Sequence, residues 1–107
     1  MGKKEYLING LKKFIKRLGK DFDIEQIILF GSRAGNEFNE HSDVDLIIVS
    51  EDFECMNFFE RVKKMYNYWE IDLPVDFICY TSKEFNKLKK QVSIVSEALR
   101  EGIKINT

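Results

Sequence analysis

Proline is nearly absent from this chain of 107 residues, occurring once, and glycine only six times. Long disordered or linker segments are therefore not expected, because such segments are rich in chain breakers and poor in apolar residues. Cysteine is equally scarce: Cys55 and Cys79 are too few for a disulfide framework, and neither stands in a Cys-x-x-Cys pair or beside an evident base. Both are read as structural or incidental. No apolar run approaches the ~20 residues needed to cross a membrane. The charged start Met1-Gly2-Lys3-Lys4-Glu5 leads into an amphipathic pattern without the apolar core of a signal peptide. A cytoplasmic location with no membrane partner is expected. An excess of positive charge is missing as well. Seventeen basic against eighteen acidic side chains leave a net charge of −1, without the strongly basic footprint of a protein that grips long nucleic acid. The single His41 is read as a loop residue.

What the chain has is a core. Its hydrophobic fraction is 44%, with nine Phe, four Tyr and one Trp, ample for one domain spanning residues 1–107 but leaving little chain for a second, acceptor-binding domain. Leu7, Leu11, Phe14, Ile15 and Leu18 follow the three-four spacing of an amphipathic helix that Gly19 would stop. Gln26 to Phe30 is a short apolar run of strand length that leads straight into Gly31-Ser32. A polar stretch from Ala34 to Ser42 then precedes a β-branched run from Val44 to Val49. Helical spacing returns over Asn57–Trp69, where Phe58, Val62, Met65, Tyr66 and Trp69 form a stripe read first as core and second as a ligand-stacking platform. Pro74 introduces a third strand, Val75 to Tyr80. Thr81-Ser82-Lys83-Glu84 has the form of a capping box, opening a helical pattern (Phe85, Leu88, Val92, Val95, Leu99) with a break near Gln91. Gly102 ends it, and Ile103 and Ile105 suit a short last strand. The expected order is α-β-β-α-β-α-β in an α+β domain, a small mixed sheet flanked by helices.

Three features suggest chemistry. Gly31-Ser32 at a strand end would expose backbone N–H groups to a phosphate, with Arg33 following, although Gly-Ser in a turn is usually only a turn. Asp43-Val44-Asp45 places two carboxylates on one face of a strand, with α-carbons about 6.5 Å apart. The plain reading is a solvated edge, but the residues that follow, Leu46 to Val49, are apolar on both faces and mark a buried strand. At the mouth of such a strand two carboxylates repel each other unless a cation lies between them. A third, Asp76, stands within Val75-Asp76-Phe77-Ile78 and is expected to be buried, which needs a partner such as a shared metal. Together these residues meet the needs of two-metal nucleotidyl transfer: oxygen ligands, a phosphate cradle and a carboxylate near the attacking hydroxyl.

The whole run from Gly31 to Leu46, Gly-Ser-Arg-Ala-Gly-Asn-Glu-Phe-Asn-Glu-His-Ser-Asp-Val-Asp-Leu, with the later strand-borne Asp76, resembles the minimal nucleotidyltransferase (MNT) branch of the DNA polymerase β superfamily. The resemblance covers almost the whole chain. It departs from the family's frequent Gly-Ser-Arg-Ala-Arg-Gly in carrying Gly35 and Asn36 at the last two places, which removes a second phosphate-facing arginine. It implies a polymerase β-like fold and binding of ATP phosphates by Gly31, Ser32 and Arg33. It also implies two Mg²⁺ ions held by Asp43, Asp45 and Asp76, with Asp76 serving as base. Because members of this branch are commonly encoded beside HEPN-domain proteins, it further implies an antitoxin that transfers AMP from ATP to a tyrosine of a HEPN toxin. The alternatives are nucleotidyl transfer to a small molecule and a non-catalytic antitoxin that inhibits by binding.

Overall fold

The computed structural model describes residues 3–30, 44–91 and 94–105. Along the chain run α1 (Lys3–Leu18), β1 (Ile24–Phe30), β2 (Val44–Ser50), a 3-10 turn (Glu51–Phe53), α2 (Phe58–Tyr66), β3 (Val75–Tyr80), α3 (Ser82–Leu88), α4 (Ile94–Glu101) and β4 (Ile103–Ile105). The strands form a four-stranded sheet in the order β3-β2-β1-β4. β1 pairs antiparallel with β2 and β4, while β2 and β3 run parallel, so the sheet is mixed and the fold is α+β, as expected. The expected order of elements is recovered, with the last helix divided into α3 and α4 on either side of the anticipated break.

The alternating pleat explains why helices are needed on both faces of this sheet. Leu46 and Ile48 of β2, with Ile27, Leu29 and Phe77 from its neighbours, pack under Leu7, Leu11, Phe14 and Leu18 of α1. Ile47 and Val49 point the other way and join Ile28, Tyr80, Phe85 of α3 and Val95 and Ala98 of α4. β2 is thus buried on both sides, as a run apolar at every position requires.

Capping sets where the helices begin. Asn57 and Thr81 each accept a hydrogen bond from the backbone N–H three residues on, at Glu60 and Glu84, whose side chains reach back to the cap N–H groups. Gly102 closes α4 at a spot with no room for a side chain. A Cβ there would lie 2.4 Å from the Ala98 carbonyl oxygen and 2.9 Å from that of Leu29.

The second helix is shorter than its periodicity suggests. It stops at Tyr66, and Tyr68 and Trp69 fold back to lie half-buried against the core, so they are not the exposed aromatics of this face. Phe58, Phe59 and Tyr66 are, at 57%, 76% and 47% exposure. The core reading therefore holds for Met65, Val62 and Trp69 and fails for Phe58 and Tyr66.

Candidate active site

Asp45 is the second residue of β2 and Asp76 the second residue of β3. The parallel ladder sets them directly side by side, Asp45 opposite Asp76, between the pairs Val44–Val75 and Leu46–Phe77. The Val44 N–H donates to the Pro74 carbonyl at 2.8 Å and extends the pairing beyond the two aspartates. Neighbouring strands lie about 4.8 Å apart, and side chains at paired positions leave the sheet on the same face. Both carboxylates therefore rise from the α3/α4 face, the face that carries Ile47 and Ile78. Phe30, the last residue of β1, sits opposite Asp45 on the other side.

The exposure of the two differs, which corrects one expectation. Asp45 is half-buried on the central strand, but Asp76 is exposed. β3 is an edge strand, and its alternating pattern buries Val75 and Phe77 toward α1 and α2 while leaving Asp76 in water. Burial in an apolar strand is thus no argument for a metal at Asp76; its position beside Asp45 takes that place. Gly31, Ser32, Arg33, Asp43 and His41 lie outside the described residues.

These two aspartates fit part of a magnesium site. They supply hard oxygen donors from two rigid strands, open to water on one side, as Mg²⁺ requires when it keeps waters and substrate phosphates in its shell. Among the described residues no group of three potential ligands occurs, so a third protein carboxylate would have to come from elsewhere in the chain.

At the other end of β3 lies a charged residue that sequence reasoning missed. Arg61, only 5% exposed, donates from Nε to the carbonyls of Phe53 and Met56, and from Nη1 to the Cys79 carbonyl and Glu84 Oε1 at 2.7 Å. Its guanidinium also lies 5.2 Å from the Phe58 ring centroid. Arg61 thereby ties α2 to the end of β3 and the start of α3. The signal was present, since a basic residue three after Phe58 and four before Met65 occupies a core position of the helix stripe. Burial alone would push the Glu84 carboxyl up, but hydrogen bonds from Arg61 and Thr81 and the Arg61 charge outweigh it and hold the group below its ordinary range.

The two cysteines separate cleanly. Cys79 is buried, and burial pushes its thiol up to about 12, against a smaller opposing pull from Arg61, whereas Cys55 is exposed. A thiol titration with Ellman's reagent at pH 8 is expected to label Cys55 promptly and Cys79 only after denaturation. Rapid labelling of both in the folded protein would contradict this packing.

Comparison with known proteins gives the class to which this fold and its paired carboxylates belong. Residues 8–105 match the nucleotidyltransferase domain family, and the chain belongs to it. Among its relatives is a protein of Methanocaldococcus jannaschii named as a candidate protein adenylyltransferase, 26% identical over 101 residues that cover 92% of this chain and 95% of that one. Two crystal structures of candidate nucleotidyltransferases share the fold. One, from Sulfolobus solfataricus, has a TM-score of 0.67 at 22% identity, covering 94% of this chain and 80% of its own. The other has a TM-score of 0.53 at 23% identity, covering 92% and 97%.

Proposed function

We propose that this protein is a magnesium-dependent adenylyltransferase of the MNT type, the antitoxin of a HEPN/MNT pair, which transfers AMP from ATP to a tyrosine hydroxyl of the HEPN toxin. The observation that carries the reading is the in-register pair Asp45 and Asp76 at the open end of a rigid sheet. In this reading Asp43 and Asp45 hold two Mg²⁺ ions together with Asp76. Gly31 and Ser32 offer backbone N–H groups to the phosphates, and Arg33 follows them in sequence. Bound magnesium would neutralise the phosphate charge and align the triphosphate for in-line attack. In this reading Asp76, which is exposed and beside Asp45, takes the proton of the incoming hydroxyl. The hydroxyl oxygen then forms a bond to the α-phosphorus, and the bond to the leaving pyrophosphate breaks.

A protein acceptor suits the open setting of the two carboxylates, because a partner brings its own surface to orient the hydroxyl. The name of the Methanocaldococcus relative points the same way. The test is to incubate the protein with ATP, magnesium and a HEPN protein encoded beside it, then to record the partner's intact mass and ribonuclease activity. The expected result is a partner heavier by whole AMP units on tyrosine, with its ribonuclease quenched. Inhibition without a mass change would establish the binding antitoxin instead. Labelling of a small molecule alone would establish the small-acceptor reading.

A further inference from the structure

One residue of α2 supports the strand backbone beside Asp76. Tyr66, the last residue of α2, donates its phenolic hydrogen to the Val75 carbonyl at 2.5 Å. In a parallel ladder alternate residues turn their backbone groups toward the neighbouring strand. Because the Pro74 carbonyl accepts from β2, that of Val75 faces the outer edge of β3, where no further strand follows among the described residues. Water would ordinarily serve such a carbonyl; here a phenol reaches it from the crossover helix. The same ring meets Phe77 edge to face, with centroids 5.0 Å apart at 82°. Phe77 is also flanked by Trp69 at 5.7 Å and Phe14 at 5.8 Å, and the Trp69 indole N–H donates to the Leu73 carbonyl at 2.9 Å.

Tyr66 thus grips the residue before Asp76 and the residue after it, on an edge strand that, among the described residues, is paired on one side only. A rotation of β3 about its axis would swing the Asp76 carboxylate away from Asp45, and a slip of one residue would turn it to the opposite face. Either motion breaks both Tyr66 contacts. We infer that Tyr66 is a positioning residue that keeps Asp76 beside Asp45 for metal binding, an inference that rests on the proposed reading of these two carboxylates. The simpler account, that Tyr66 merely shields Phe77 and caps a carbonyl, requires a loss of stability alone when the hydroxyl is removed.

Tyr66→Phe distinguishes the two, because it keeps the ring against Phe77 and removes the hydroxyl that binds the Val75 carbonyl. Tyr68→Phe is the control, since it also loses a hydroxyl bond, to Asp21 in the turn after α1. Mn²⁺ affinity of the full chain, measured by electron paramagnetic resonance with a non-hydrolysable ATP analogue, is expected to fall about tenfold in Tyr66→Phe, the scale of losses when a group orienting a metal ligand is removed. It should stay at the wild-type value in Tyr68→Phe. With ATP, kcat should fall by more than KM changes. Unchanged Mn²⁺ affinity in Tyr66→Phe, or an equal loss in Tyr68→Phe, would overturn the positioning role. A wild-type protein that binds no Mn²⁺, or binds it unaltered after Asp45→Asn, would overturn the reading of the site itself and the positioning role with it, a failure visible without any Tyr66 variant.

Discussion

Replacing Asp45 by Asn is expected to lower adenylyl transfer by on the order of a thousandfold or more, since the charge that offsets the triphosphate and holds its metals is lost where that charge counts most. Asn keeps the shape and an oxygen acceptor, so the half-buried site on β2 should pack as before. In EDTA the two neighbouring carboxylates become one, which removes a repulsion and leaves the melting temperature at or above that of the wild type. Asp76→Asn should be as inactive, yet it should still bind Mg·ATP, because its carboxylate is proposed to take the acceptor proton and complete the second, catalytic metal, while Asp43 and Asp45 hold the nucleotide-bound ion. Transfer of radiolabelled AMP, calorimetry with Mg·ATP and a thermal scan in EDTA separate these effects. An Asp45→Asn protein melting several degrees below the wild type would mean that the residue serves the fold. Complete loss of Mg·ATP binding in Asp76→Asn would move that residue from proton acceptor to nucleotide holder.

Arg61→Met is expected to have the largest effect on stability, a loss of about 2–4 kcal/mol. The substitution keeps the apolar stem but leaves the carbonyls of Phe53, Met56 and Cys79 without this donor, and unsatisfied buried acceptors cost roughly 1–3 kcal/mol each before relaxation and water entry. For a domain of this size that corresponds to a drop in melting temperature on the order of 10–20 °C. Glu84 adds a dependence on pH. Its pKa is lowered in the folded state, so its contribution is present above the ordinary value of 4.5 and is lost as pH falls through the lower, folded value. Wild-type stability should therefore decline below about pH 4.5, and Arg61→Met, already without the partner, should decline less steeply over that range. Because the Glu84 side chain is 39% exposed, most of the destabilisation at neutral pH belongs to the buried Arg61 donors and not to the ion pair. Urea titrations at pH 7 and pH 4 measure both parts. A variant melting within about 2 °C of wild type would show that Arg61 does not tie α2 to β3 and α3.

Local rules made the elements legible. The run Leu46 to Val49, apolar at every position, announced a strand buried on both faces, and the capping box at Thr81 announced the start of α3 within a residue. The end of α2 was not legible in the same way. Helical spacing continues through Trp69, but tertiary packing turns Tyr68 and Trp69 inward after Tyr66, where they meet Phe22, Phe14 and Phe77. Arg61 was overlooked because its partners lie 5, 8, 18 and 23 residues away in loops and other elements, beyond the reach of periodicity.

By itself the sequence determined the α+β class, the order of the elements and the identity of the candidate carboxylates, because residue type and short-range spacing govern local conformation and donor chemistry. Which strand became an edge was decided only in three dimensions. Strand order left β3 with one neighbour, so Asp76, which reads as buried from its flanking residues, stands in water beside Asp45. That juxtaposition joins residues 45 and 76 through hydrogen bonds between two strands, and no pattern within either strand contains it.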